Sequence, residues 1–173
     1  MKNVKILFAA MLLLVAATTA QAQITKAELT ATGLTCSMCS KATYKQLVSI
    51  PEVEKVETDL NKTAFVLYFK QGTNVNVGSL KKKVEDAGFS VGQLIVTMKV
   101  DNQKAENNTS FTQNNISYTF MNSTPKLLSG EVKVKIMDKG FVTDKEYKQL
   151  VKLAKQYPTY REATANAYHI KTL

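Results

Sequence analysis

Between residues 24 and 100 the hydrophobic period alternates between two and 3.6, in the order strand, helix, strand, strand, helix, strand. Ile24 to Leu34 reads as a strand with Ala27, Leu29, Ala31 and Gly33 on one face. A helical stretch follows to about Ser49, where Pro51 forbids more helix and pushes Ile50 into an extended conformation. Glu52 to Leu60 is the second strand, Asn61-Lys62 a tight turn and Thr63 to Lys70 the third strand. A second helix over Val77 to Ala87 carries Leu80, Val84 and Ala87 at helical spacing and stops at Gly88, a residue suited to a left-handed cap. Phe89 to Val100 supplies the fourth strand.

This order in so short a segment is the split β-α-β, or ferredoxin-like, arrangement, an α+β fold with an antiparallel sheet and both helices on one face. The third strand is apolar on both sides, Ala64, Val66 and Tyr68 against Phe65, Leu67 and Phe69. One of these stripes is therefore expected to be covered by the C-terminal part or by a second copy in a homodimer, and Leu67→Lys to disrupt that docking.

The segment before this domain reads differently. Lys2 and Lys5 precede an apolar run from Ile6 to Ala17, and Thr18-Thr19-Ala20-Gln21-Ala22 places small residues at both positions of a cleavage site. Residues 1–22 are read as a secretory signal peptide cut after Ala22, because the apolar run is too short to span a bilayer comfortably. Their removal leaves 21 basic and 14 acidic residues, a net charge of +7. The expected product is secreted to a bacterial periplasm and is not an integral membrane protein.

Asp101 to Ser110 is polar and rich in Asn, and reads as a linker, 101–110. Residues 111–173 read as a second α+β part. Ile116 to Met121 and Glu131 to Met137 are its strands, Thr143-Asp144-Lys145-Glu146 a capping box, and Ala165 to Leu173 a closing strand. The helix behind the box places Tyr147, Leu150, Val151, Ala154 and Tyr157 on one face and is expected to stop at Pro158. A small OB-type barrel and an extension of the first sheet both fit this pattern. A part of this size is marginal alone and is expected to pack on the first.

Two cysteines carry the chemistry. Cys36 and Cys39 form a C-x-x-C between the first strand and the first helix, so the free N–H groups and dipole of the helix terminus favour thiolate. Two thiolates with no other soft ligand nearby suit two-coordinate Cu(I), and also Hg(II). Zn(II) in a closed site wants four ligands, of which one C-x-x-C supplies half. Met38 between the cysteines is an added thioether or a side chain pointing away. The single histidine, His169, excludes histidine-rich metal storage and is a remote third ligand only if the C-terminus folds over the loop.

Gly33-Leu34-Thr35-Cys36-Ser37-Met38-Cys39 resembles the G-M-T-C-x-x-C signature of heavy-metal-associated domains, which include copper chaperones, modules of copper-exporting P-type ATPases and the periplasmic mercury-binding protein. Pro51 to Val56, the Ala64-x-Val66-x-Tyr68 stripe and Glu85-Asp86-Ala87-Gly88-Phe89 extend the resemblance over 24–100. Leu34 replaces the usual methionine, Pro51 a common glycine, and Phe89 stands where copper chaperones often carry Lys or Tyr. The resemblance implies metal relay rather than enzymatic catalysis. Cys36 captures the ion, Cys39 completes the site, and a metal donor or acceptor, such as a copper transporter or a cuproprotein, exchanges ligands with it.

Other readings stay open. A C-x-x-C in an oxidising compartment can cycle as a disulfide, although Thr35 stands where thioredoxin-like proteins usually carry Trp. It can also be a purely structural disulfide in an adaptor. Lys81-Lys82-Lys83 with Lys41 and Lys45 form either a solvated surface or a docking face for an acidic partner. No basic motif interleaved with aromatics points to nucleic acid. The Asn-rich sequons around Asn107 and Asn115 matter only in a eukaryotic secretory route.

Overall fold

The computed structural model describes residues 23–59, 63–161 and 166–173. The cleavage segment 1–22 and the turn Asn61-Lys62 lie outside these residues, as does Ala165 at the start of the expected closing strand.

The first half follows the expected order. Strand β1 (Ile24–Thr32) leads to α1 (Ser37–Val48), β2 (Val53–Asp59), β3 (Ala64–Phe69), α2 (Val77–Asp86) and β4 (Ser90–Ala105). These strands lie in the order β2-β3-β1-β4, and every pairing is antiparallel, which is the ferredoxin-like topology. Register places Leu29 opposite Phe65 and Leu94, and Ala27 opposite Leu67 and Val96. These side chains form one buried face with Leu47 of α1 and Leu80 and Val84 of α2.

That register corrects the expectation for β3. Phe65 and Leu67 are fully buried among the helix-facing residues, so Leu67 holds the first half together and docks nothing. The other stripe, Ala64, Val66 and Tyr68, is half-buried. Lys26 and Lys55 lie 5.9 and 5.8 Å from the Tyr68 ring centre, and the Tyr68 hydroxyl donates to Glu57 at 3.3 Å. Long lysine stems thus shield an aromatic that needs no second layer.

The segment expected to be a linker is strand. β4 runs for 16 residues, through 101–105, and pairs with β7 (Lys126–Ile136) from Ile95 to Ala105, with an irregularity between Val100 and Gln103. Asn102 sits there at φ +49°, and its N–H donates to the Ser129 hydroxyl at 3.0 Å. A polar composition does not prevent a strand whose stability comes from the partner's backbone groups.

The second half extends the same sheet, one of the two arrangements the sequence allows. Strands β5 (Ser110–Gln113), β6 (Ile116–Phe120) and β8 (Ala167–Thr172) complete an eight-stranded order β2-β3-β1-β4-β7-β8-β6-β5. The β6–β8 pair is parallel. Phe111, Tyr118, Phe120, Tyr168 and Phe141 continue the first half's core through ring contacts of 5.4–6.2 Å.

Helix α3 (Asp144–Lys152) packs a separate cluster of Met121, Met137, Val142, Leu150, Tyr157 and Tyr160. Thr143 caps it, its hydroxyl accepting from the Glu146 N–H at 3.2 Å. The Glu146 carboxylate pairs with Lys135 at 2.7 Å and leaves the second arm of the capping box unmade. The helix ends at Lys152 rather than Pro158. Residues 153–157 continue as turns with i→i+3 hydrogen bonds that still bury Tyr157, and a short 3-10 helix (Pro158–Arg161) follows.

Candidate metal site

The loop from β1 to α1 begins at Gly33, in the left-handed region at φ +87°. A Cβ there would lie 3.5 Å from the Phe89 ring. Leu34 and Phe89 are half-buried and pack on the main core, so the loop rests on an apolar seat at the strand ends. The leucine at 34 preserves the packing that a methionine would give.

Cys36 is the N-cap of α1, with φ −145° and ψ 157°. Its Sγ accepts from the Cys39 N–H at 3.2 Å, and its carbonyl accepts from the N–H groups of Cys39 and Ser40 at 3.1 and 3.2 Å. The same sulfur is bonded to Cys39 Sγ in a disulfide whose Cα atoms are 5.3 Å apart. Cys36 is exposed and Cys39 half-buried. The buried Thr43 hydroxyl donates to the Cys39 carbonyl at 3.2 Å and fixes the first turn.

Reduced, the two sulfurs occupy the positive end of a 12-residue helix whose first turn contains no acidic residue. That field, with the N–H already directed at Cys36, favours thiolate. The reduced pair can therefore hold one soft ion between two sulfurs, and the oxidised pair can hold none.

Among the described residues no group of three or more His, Cys, Asp and Glu side chains converges as a metal site. His169 is buried on β8 and engaged elsewhere. Its Nδ1 lies 2.8 Å from Asp138, its backbone N–H donates to the same carboxylate at 2.6 Å, and Nε2 lies 2.9 Å from the Thr159 hydroxyl. Met38 is 69% exposed on the outer side of the first turn.

The lysines around the loop separate into two kinds. Lys81 and Lys82 pair with Glu85 and Asp86 one turn on, at 2.7 and 2.9 Å, and Lys83 reaches Gln46 at 3.5 Å. Lys41 and Lys45, both exposed on α1, have no ion-pair partner among the described residues. The positive face beside the cysteines therefore belongs to α1 more than to the lysine run of α2. The pairing of Lys81 with Glu85 and of Lys82 with Asp86 follows the i,i+4 spacing already visible in the sequence.

No protein-family model matches the chain, and no curated protein matches it. Solved structures do match its N-terminal part. A structure described as the CopZ metallochaperone is 24% identical, with 38% of this chain and 97% of that chain covered and a TM-score of 0.35. The yeast copper transporter domain Ccc2a, determined in apo and Cu(I)-loaded states, is 28% identical, with 38% and 88% covered and a TM-score of 0.34. A copper-binding domain from HMA7, a P-type ATPase, is 27% identical, with the same coverage and TM-score.

Proposed function

We propose that this chain is a non-enzymatic carrier of a soft metal ion, Cu(I) before Hg(II), working outside the cytoplasm after removal of residues 1–22. The observation that carries the reading is the placement of Cys36 and Cys39 together at the exposed N-terminus of α1. Two sulfurs, joined by no further His, Cys, Asp or Glu in a cluster of three among the described residues, are a donor set that satisfies Cu(I) or Hg(II) and leaves Zn(II) two ligands short.

Loading begins with reduction. A dithiol of low reduction potential gives two electrons and two protons to the Cys36–Cys39 disulfide and is itself oxidised to a disulfide. Cu(I) then displaces the two thiol protons. Release follows by ligand exchange, in which a partner thiolate or thioether adds to the two-coordinate ion and one cysteine leaves. Exposure of Cys36 makes it the sulfur that a partner reaches first, and Lys41 and Lys45 would attract an acidic donor or acceptor.

The test is competition between metals on the reduced chain. One Cu(I) per chain with two sulfur neighbours, by X-ray absorption, supports the carrier reading. Tight Zn(II) binding, or retention of the disulfide under strong reductant, opposes it.

A further inference from the structure

Val134 and Ile136 of β7 face the core shared with α1 and α2, while Lys135 between them meets Glu146 of α3 at 2.7 Å. Side chains alternate along a strand, so α3 covers the sheet face opposite α1 and α2. On its inner side α3 presents Tyr147, Leu150 and Val151 to the second cluster. Its outer side carries Lys145, Lys148 and Lys152, and Lys155 continues the line in the turn that follows. Steps of three and four residues keep these lysines on one stripe. All of them are exposed, and none has an ion-pair partner among the described residues.

The stripe differs from the lysine run of α2. There Lys81 and Lys82 each meet an acid one turn on. On α3 the residues one turn on from Lys145, Lys148 and Lys152 are Gln149, Lys152 and Gln156. Lys148 and Lys152 therefore repel at i,i+4 spacing, and Lys145 repels Lys148 at i,i+3. The acids of the helix do not cancel this. Glu146 turns inward to Lys135. Asp144 stands in the first turn, at the positive end of the helix dipole, and forms no ion pair with Lys148 among the described residues. Helix α3 thus carries a repulsion within itself that a negative surface would relieve.

We infer that this lysine stripe seats the protein on an anionic phospholipid bilayer, as a peripheral contact. Between Lys145 and Lys152 only lysines and Gln149 are exposed, so the stripe offers no aromatic or aliphatic anchor for a protein partner. Leu153, the next residue, opens toward the sheet beside Ile95 and Met137. A fluid anionic surface needs no anchor of that kind. Four lysines clustered on an amphipathic helix suffice, each adding to the attraction. Lys41 and Lys45 lie on α1, across the sheet, and take no part in this contact.

Sedimentation with vesicles is the test. The protein used begins at Gln23, because the apolar run Ile6 to Ala17 would itself enter a bilayer, and the described fold lies within 23–173. Vesicles of phosphatidylglycerol and phosphatidylcholine in equal parts should carry it down, and pure phosphatidylcholine should not. Salt at about 0.5 M should release it, because the attraction is screened. Lys148→Gln/Lys152→Gln should weaken partitioning about tenfold or more, the scale of two lysines near an anionic surface. The same variant should keep or raise the thermal midpoint, since a like-charge pair is gone. Lys82→Gln/Lys83→Gln takes two lysines from α2 instead and should weaken partitioning by about threefold at most, being far from the contact. No partitioning onto the anionic vesicles, equal losses in the two variants, or displacement from the vesicles by poly-L-glutamate at equal charge concentration would overturn the inference, the last by assigning the stripe to an acidic protein.

Discussion

The phenolic oxygen of Tyr168 on β8 lies 3.2 Å from Oδ1 of Asn76, the residue that caps α2. The same Oδ1 accepts from the Gly78 N–H at 2.8 Å. A Cβ on Gly78 would stand 3.0 Å from the Tyr168 hydroxyl, so the two halves of the chain meet closely at this cap. The contact joins a strand of the second half to a helix of the first, above a sheet that is already continuous.

One sheet and one shared core predict one unfolding transition. Far-ultraviolet circular dichroism and tyrosine fluorescence should give coincident urea curves. Tyr168→Phe should cost about 1 kcal/mol, the usual net worth of one hydrogen bond, without splitting the transition. Two separated transitions would show that the halves fold independently.

Leu67 is fully buried opposite Ala27. Leu67→Ala should destabilise by about 2–5 kcal/mol, and Leu67→Lys by more, because it places an unpaired charge in the core. Chemical denaturation measures both. A folded, equally stable Leu67→Lys protein that changes only in size would restore the docking role first expected of this residue.

Most of the first half is legible in sequence because its signals are local. The period change, Pro51, Gly88 and the C-x-x-C each act within a few residues, and the cysteines do meet at the cap of α1. What is not legible depends on distant partners. Residues 101–105 look like a linker until Lys126 to Leu128 pair with them. Phe65 and Val66 both look like core residues, and only pairing with β1 decides which faces the helices. His169 gives no sign in sequence that Asp138 and Thr159 will enclose it.

Asp138 accepts from both the backbone N–H and the ring of the buried His169. Asp138→Ala leaves these groups without partners, at about 1–3 kcal/mol for each one left unsatisfied. Urea titration should show the loss, and Asp138→Asn should recover part of it. A change within about half a kcal/mol, as at an ordinary surface site, would mean that the contact contributes little.

Burial raises the hydroxyl pKa of Tyr118, Tyr160 and Tyr168 above the ordinary tyrosine value of 10.0. A group whose folded pKa is raised gives stability that is complete below its unfolded pKa and is lost as pH climbs toward the folded value. Stability should therefore fall as pH rises beyond 10.0. Tyrosinate absorbance should show these three ionising only with unfolding. Smooth ionisation of every tyrosine near the ordinary value, in a folded chain, would contradict their burial.

The metal-carrier reading rests on two sulfurs, and the most direct measurement titrates Cu(I) into the fully reduced chain, without oxygen, against a competing chelator. The Cys36→Ser/Cys39→Ser variant is measured beside it, with circular dichroism to establish that it folds. One Cu(I) bound tightly by the parent and lost by the folded variant is the predicted result. No Cu(I) binding by the folded, reduced parent, or equal binding by the variant, would contradict it.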